Sequence, residues 1–450
     1  MSFSSILETA QWVFQIVKLN SSIQEHHIVF LTANHSIIRN ILVTFVLIAL
    51  SYFFLRNNQN TKTNWAVFYA SLYMVVMLFF TNYMCADLGL WQFTVSKIPS
   101  LHIPPDLYFI WIFFWGVLPV LFFKGRHLFL IAISLFWIDI CTMPVLQDIG
   151  LIKFNSYWIL GELSLIAIVF VPGYFWAYCS YNNKYLGLRS ILQVITIGTA
   201  TILGIPLLLN AYGLLPNLSF EWSSIEFQIL FIVVFPALAA VNDLVTKGDG
   251  TPFPFDPTKK LVRTGVYAYC KNPIQWSYTL LFIVLSISYS SFYFLIGFIV
   301  SILFVIGISD FHEGSDMDTR FGEEWLTYKS IVPKWMFLWK PKDIPKGVVY
   351  FKLNCSQCEQ FRTWFLKSNA VNLDIKFDTD YPGNKLTQVT YIDHNGMEFK
   401  SVTAISCCFD HINLAYASLG WFMRFPVLHY LLQVIVDSME FESVKEKTKR

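Results

Sequence analysis

Nine apolar segments, separated by short polar loops, constrain the fold of this chain more than any other feature of its sequence. A helix needs about 17–25 mostly apolar residues to cross the hydrocarbon core of a bilayer. The apolar residues of these segments are not confined to one stripe, which is typical of helices that are buried or face lipid. The sequence therefore predicts a polytopic α-helical membrane protein. Its nine spans are predicted at residues 36–55, 64–83, 106–123, 128–145, 156–179, 188–210, 225–245, 272–288 and 291–309.

Charged side chains are distributed unevenly along the 450 residues. They make up 14% of the chain, whereas a soluble globular protein has about 25%. Residues 1–245 contain 20 of them and residues 246–450 contain 42. The first half is therefore membrane-like, and part of the second half must be soluble. The net charge of +2 argues against nucleic acid as a partner.

The basic residues of the loops indicate an orientation in the membrane. Cytoplasmic loops carry an excess of Lys and Arg. Every second loop here is the richer one: segment 246–271 has five basic residues, whereas loop 211–224 has none. For an odd number of spans, this alternation predicts an N-terminus outside and a cytoplasmic C-terminal domain.

Two carboxylates, Asp139 and Glu162, lie inside predicted spans. A carboxylate in hydrocarbon costs several kcal/mol, about 3 on insertion scales. One interpretation is a polar pocket or a path for protons or ions. The other is a protonated or hydrogen-bonded contact between two helices.

The segment 246–335 is the part of the chain that points most clearly to chemistry. Glycines and prolines prevent a regular helix in GDGTPFPFDPTKKLVRTGVYAYCKNP, and a helical hairpin follows directly. The hairpin starts and ends at one membrane face, so the charged residues before and after it should be neighbours. They are Lys259, Lys260, Arg263 and Lys271 before it, and Glu313, Asp316 and Asp318 after it.

These opposite charges predict a charged cavity at the cytoplasmic interface, where a soluble zwitterionic cofactor meets a lipid-borne substrate. Glu313 would hold an ammonium group of that cofactor. Backbone and basic donors near Gly265 and Lys271 would hold a carboxylate.

The same residues resemble the isoprenylcysteine carboxyl methyltransferase and phospholipid methyltransferase superfamily. The likeness covers about residues 246–335 and includes LVRTGVYAYCKNP, the helix pair, Glu313 and RFGEEWLTYKSIVP. It implies methyl transfer from S-adenosyl-L-methionine to a membrane lipid or another lipophilic substrate with a carboxylate, amine or thiol acceptor. It also implies that the cofactor is bound by Gly265, Tyr267, Lys271, Asn272, Pro273 and Glu313.

Three positions depart from the pattern of this superfamily. Lys271 stands where the family usually has Arg, and Lys cannot make the same planar two-point contact. Gln275 replaces an aromatic residue, and Gly314 replaces the second acidic residue. A member that keeps the scaffold and has lost methyl transfer is therefore an alternative.

From Gly347 onward the sequence has a mixed α/β pattern. A strand leads to Cys355 and Cys358, and then come a helix, a strand, a hairpin turning at Asn395-Gly396, and an apolar helical region at 403–439. This order predicts a thioredoxin-like domain with C-x-x-C at a helix start.

The two cysteines are predicted to be a redox pair that acts on a thiol partner. A helix N-terminus favours the thiolate of Cys355, and Cys358 would be the resolving thiol. Two buried, inert cysteines are the other interpretation. A zinc site would need two more ligands at suitable spacing, so no metal is predicted.

Residues from about 347 to 440 also resemble the DCC-type thiol-disulfide oxidoreductase-like domains. The likeness is carried by VVYFKLNCSQC, HNGMEFKSVTAI and LGWFMRFPVLHYLLQVI, although Lys352-Leu353 replaces the usual Asp-Gly. Two other functions stay open: a membrane-anchored thiol-disulfide oxidoreductase, and a non-catalytic membrane scaffold or transporter. The predicted parts are an interfacial segment 1–35, a membrane region 36–245, the methyltransferase-like region 246–340, the C-x-x-C domain 347–440 and a charged tail 441–450.

Overall fold

The computed structural model describes most of the chain. The described residues are 39–50, 61–94, 103–148, 150–215, 218, 222–253, 256–353, 356–383 and 386–448, without the side chains of 308–315, 356–357, 426 and 439–448. The predicted interfacial segment 1–35 lies outside them. The chain divides into two compact units, Met1–Leu218 and Ser219–Arg450, and each is described by itself.

The described part of the first unit consists of six helices and a two-stranded antiparallel ribbon. They are α1 (Arg39–Leu50), α2 (Thr61–Asp87), β1 (Trp91–Phe93), α3 (Pro105–Phe123), α4 (Leu128–Asp148), β2 (Ile152–Phe154), α5 (Trp158–Tyr181) and α6 (Leu186–Ala211). A π-turn interrupts α3, α5 and α6, and in each case a proline, Pro119, Pro172 or Pro206, follows within two residues. Proline cannot donate the next helical hydrogen bond, so the helix widens just before it.

The centre of the first unit is the contact between α2 and α5. The ring of Tyr69 stacks on Trp176 with 4.8 Å between ring centroids. Gly173 of α5 lies against Tyr73 and Met74, where a Cβ atom would approach to 3.0 Å. These aromatic residues are buried, and the glycine allows the two helices to pack closely.

The two carboxyl groups found within predicted spans are neighbours. Asp139 of α4 and Glu162 of α5 are both buried, and each lies close enough to act electrostatically on the other. The polar pocket or path and the contact between two helices both stay predictions.

The second unit begins with four further helices. They are α7 (Ser224–Thr246), α8 (Pro273–Ser288), α9 (Tyr293–Phe304, continued by a π-turn at Val305–Ser309) and α10 (Asp310–Ile331). A capping box between Ser223 and Glu226 starts α7. The hydroxyl of Ser277 in α8 accepts the backbone N–H of Ala237 in α7 at 3.1 Å, and this bond aligns the two helices.

The polytopic helical class predicted from the sequence is confirmed. Among the described residues, six helices are long and apolar enough to cross a membrane, namely α2 to α7. A bent pair at 414–438 raises the number to seven if it counts as one span. The other predicted spans correspond to shorter apolar helices, Arg39–Leu50, Pro273–Ser288 and Tyr293–Gly307, so the total of nine stays a prediction.

The C-terminal part of the second unit contains a four-stranded sheet. Its strands are β3 (Gly347–Phe351), β4 (Leu373–Phe377), β5 (Thr390–Ile392) and β6 (Glu398–Lys400), in the order β4-β3-β5-β6. The strand β3 is parallel to β4 and antiparallel to β5, and β5 is antiparallel to β6. Helix α11 (Ser356–Lys367) connects the parallel pair.

The predicted helical region 403–439 is divided into three helices. They are α12 (Ser401–Phe409), α13 (Leu414–Met423) and α14 (Pro426–Thr448). The turn after α12 is stabilised by His411, whose Nδ1 donates to the carbonyl of Val371 at 2.7 Å and whose Nε2 accepts from the hydroxyl of Tyr391 at 2.9 Å. Burial lowers the pKa of His411 to about 4, so the ring is neutral at neutral pH.

Candidate functional site

The loop at 256–272, between α7 and α8, contains four of the six residues predicted to bind a cofactor. It is called the anchored loop here, because two neighbouring elements hold its backbone. Gly265 starts a short 3-10 turn, Gly265–Ala268, with φ of +66°. This left-handed backbone conformation favours glycine.

The first anchor of the loop is Asp243, near the C-terminal end of α7. Its Oδ2 atom accepts the backbone N–H of Val266 at 3.0 Å. A Cβ atom at Gly265 would lie 1.9 Å from the same oxygen. Glycine is therefore required at position 265 for two reasons. Its backbone conformation disfavours other residues, and the Asp243 carboxylate occupies the space that a side chain would need.

The second anchor is the end of α10 and the residues that follow it. The hydroxyl of Tyr328 donates to the carbonyl of Tyr267 at 2.8 Å. The backbone N–H of Lys271 donates to the carbonyl of Pro333 at 2.9 Å. These bonds bring together the segments before and after the helical hairpin, as the sequence predicts.

The charge pairs within the site differ from those expected across the hairpin. Arg263 pairs with Glu324 at 3.6 Å and with Asp343 at 3.5 Å. The two acidic residues expected to face the loop pair within their own helix instead, Asp316 with Arg320 at 2.6 Å and Asp318 with Lys329 at 2.8 Å. A helical spacing of four residues brings Asp316 and Arg320 together, and this local contact satisfies the carboxylate.

Hydrogen-bond donors gather where the anchored loop enters α8. The ammonium group of Lys271 lies 5.7 Å from the ring centroid of Trp325. The indole N–H of Trp325 is buried and has no acceptor among the described residues. Asn272, which is buried, and Pro273 begin α8, and the first turn of a helix leaves the N–H groups of Ile274 and Gln275 without an acceptor inside the helix.

The predicted cofactor residues can now be placed. Gly265, Tyr267, Lys271, Asn272 and Pro273 lie together on the anchored loop and at the start of α8. The backbone of Glu313 lies in the first turn of α10, and its side chain is outside the described part of the structure.

A buried ionic cluster extends from Asp243 into the C-terminal part of the chain. The ammonium group of Lys247 lies 2.8 Å from Asp243 and 3.8 Å from Asp410. The guanidinium of Arg424 makes two bonds of 3.0 Å to the carboxylate of Asp410, and the indole N–H of Trp421 makes a third. Residues beyond the sheet therefore support the carboxylate that holds the anchored loop.

The sequence-based reasoning missed Asp243, Tyr328 and Asp410. A weak signal existed for Asp243, because an acidic residue near the end of an apolar span is costly unless it is paired. Tyr328 lies inside the quoted motif, but nothing in the sequence indicates its acceptor. No local signal marks Asp410.

A model of the phospholipid methyltransferase family matches residues 229–324. The family likeness is thereby confirmed for this range, which points to a membrane methyltransferase. The range begins in α7 and ends in α10, so it contains Asp243, the anchored loop and both helices of the hairpin. No curated protein and no solved structure matches the chain.

The second cysteine of the C-x-x-C segment, Cys358, lies in the first turn of α11 and is disulfide-bonded. Cys355 lies outside the described residues. Six other cysteines are free thiols, including Cys407 and Cys408, whose pKa values are raised by burial. Within the described residues, no three His, Cys, Asp or Glu side chains are grouped to hold a metal ion.

Proposed function

We propose that the chain is an S-adenosyl-L-methionine-dependent methyltransferase that acts on a membrane lipid or another lipophilic molecule. The family match over residues 229–324 carries this proposal. The match coincides with the segment in which the anchored loop is held between α7 and α10. This architecture supports a site with a defined backbone next to membrane-embedded helices.

The residues present fit the amino-acid part of the cofactor. Its carboxylate needs donors, and the start of α8 offers free backbone N–H groups, the Lys271 ammonium and the unpartnered indole N–H of Trp325. In this proposal, Glu313 binds the ammonium group. The side chain of Asn272 orients the bound molecule at the entrance of α8.

In this reaction the main task of the protein is to position the methyl donor and the acceptor. The sulfonium of bound S-adenosyl-L-methionine supplies an activated methyl group. The anchored loop and α8 align that group with an acceptor that enters from the membrane, and proximity accounts for most of the acceleration. A carboxylate or thiolate acceptor needs no base, whereas an amine acceptor has to lose a proton, for which we propose Glu313 as the base.

We expect Asn272→Ala and Glu313→Gln each to weaken binding of S-adenosyl-L-methionine by at least about tenfold, since a hydrogen bond to a charged group contributes about 1.5–3 kcal/mol. The measurement is isothermal titration calorimetry on the full chain in detergent. Lys342→Ala removes an exposed charge outside the anchored loop and should leave the affinity unchanged.

If the folded wild-type protein binds no S-adenosyl-L-methionine, the methyltransferase proposal is wrong. The scaffold or transporter alternative would then be the better account. If the wild type binds and the two variants bind equally well, the cofactor is held by other residues.

We further propose that the C-terminal part is a thioredoxin-like, DCC-type thiol-disulfide oxidoreductase domain. The strand order β4-β3-β5-β6, with a helix joining the parallel pair, supports this, as does the disulfide at Cys358 in the first turn of that helix. In the reaction, the Cys355 thiolate attacks a partner disulfide and forms a mixed disulfide. The Cys358 thiolate then displaces the partner as a dithiol and leaves the C-x-x-C pair oxidised.

We expect Cys355→Ser to abolish dithiothreitol-driven reduction of a protein disulfide such as that of insulin, because the attacking thiolate is lost. Turbidity of the reduced insulin chains reports the rate on the full-length protein. Cys141→Ser removes an exposed free thiol elsewhere and should keep the wild-type rate. Equal rates for both variants would exclude the redox role.

For the orientation in the membrane, we propose an N-terminus on the non-cytoplasmic side and a C-terminal part in the cytoplasm. The support is the alternation of basic residues among the loops. The lipophilic substrate would then reach the site from the cytoplasmic side of the membrane.

A further inference from the structure

Helix α14 carries an apolar stripe that no described part of the chain covers. The stripe consists of Val427, Tyr430, Leu431, Val434 and Ile435, which are 53% to 76% exposed. Their spacing of three and four residues places them on one side of the helix. The helix contacts the protein from its other side, where the amide of Gln433 donates to the hydroxyl of Ser401 at 3.0 Å.

The preceding helix, α13, leads from Trp339 toward residues of the apolar helix α7. At its start, the N–H of Leu414 donates to the carbonyl of Trp339. Near its end, the ring of Phe422 lies 6.4 Å from Phe231 and 6.1 Å from Phe235 of α7. Because α7 is long and apolar enough to span a membrane, the end of α13 reaches the membrane layer beside it.

The depth of this contact is limited by the charges on α7. Asp243 and Lys247 belong to a buried ionic cluster, so the hydrocarbon must begin on the N-terminal side of Asp243. Phe235 precedes Asp243 by eight residues, or about 12 Å along a helix axis. Half of a hydrocarbon core of about 30 Å is about 15 Å, so the end of α13 lies beside the apolar part of α7, within the hydrocarbon layer.

The chain changes direction beside α7. Helix α14 is bent by 87° from α13. Because the bend follows Phe422 and Phe425, whose rings contact Phe235 of α7, the stripe begins next to the apolar part of that helix.

We infer that the apolar stripe of α14, from Val427 to Ile435, lies in the phospholipid bilayer. The lipid is favoured over a second copy of the chain or a soluble partner because the stripe continues directly from Phe425, which stacks on Phe235 of a membrane helix at 5.9 Å. The polar residues Asp437 and Ser438 follow the stripe and are exposed. Helix α14, which contacts the C-terminal part of the chain at Ser401, would thus also attach that part to the membrane.

The inference is tested by placing the photo-reactive residue p-benzoylphenylalanine at Val434 in the full-length protein. After reconstitution into phosphatidylcholine vesicles and irradiation, mass spectrometry measures the phospholipid adducts. The same residue at Glu359, an exposed position on α11, is the matched control. We expect roughly tenfold more lipid adduct at Val434, because of the two positions only that one would lie among acyl chains.

A second variant with the probe at Leu431 keeps the test valid if the first one does not fold. Adducts at either stripe position but not at the control would support the inference. Absence of lipid adducts at both stripe positions, or cross-links to another copy of the chain in their place, would overturn it. Neither outcome depends on methyl transfer, so the test is independent of the proposed function.

Discussion

Gly265→Ala is expected to destabilise the second unit by about 3 kcal/mol or more and to abolish cofactor binding. The left-handed backbone alone costs a side chain about 1–2 kcal/mol. In addition, the new Cβ would overlap the Asp243 carboxylate, which must move and give up the N–H of Val266. A displaced, buried carboxylate loses interactions that are worth several kcal/mol.

The matched control for this change is Gly396→Ala. Gly396 also has a positive φ, +78°, but nothing lies within 4 Å of its missing Cβ. The control therefore imposes the backbone strain without the collision. Thermal unfolding and calorimetric titration of both variants in detergent give the comparison, and equal losses would show that the contact with Asp243 is unimportant.

Asp410→Asn is expected to lower the free energy of unfolding by about 3–5 kcal/mol, since it removes one charge from a buried ionic cluster. The carboxylate is 2% exposed, and its loss leaves the Arg424 guanidinium and the Lys247 ammonium under-compensated. Because Lys247 also pairs with Asp243, we expect weaker cofactor binding as well. Thermal unfolding and calorimetry measure the two effects.

Asp374→Asn is the control for that experiment. Asp374 pairs with Lys346 at 2.8 Å, but both side chains are largely exposed, so the change should cost less than about 1 kcal/mol. The double variant Asp410→Asn/Arg424→Gln should recover part of the stability that Asp410→Asn loses, because the unpaired guanidinium is gone. If the free-energy changes of the two single variants simply add up in the double variant, the cluster is not a coupled unit.

Much of the fold could be predicted from particular segments of the sequence. The apolar run in α4 forms the long helix that was expected, and the Asn395-Gly396 turn lies where a hairpin was expected. The division of 403–439 into three helices was not predicted, because all three are apolar and their breaks follow from tertiary contacts of His411 and Arg424.

The sequence was sufficient to find the motif of the candidate site, but not the residues that hold this motif in place. Gly265 and Asn272 could be found because they belong to a recurring local pattern, and the family match covers them. The pairing of Arg263 with Asp343 could not be found, because long charged side chains reach several partners of similar energy. The cofactor roles and the domain boundaries drawn from the sequence stay predictions.

The sequence by itself determined that this is a multi-pass helical membrane protein and where its apolar helices lie. The reason is that the thickness of the bilayer imposes a length on each apolar run. Only the tertiary structure decided that Asp243 holds the anchored loop and that Asp410 supports it through Lys247. Such buried charges depend on partners that are distant in the sequence, so no local pattern can reveal them.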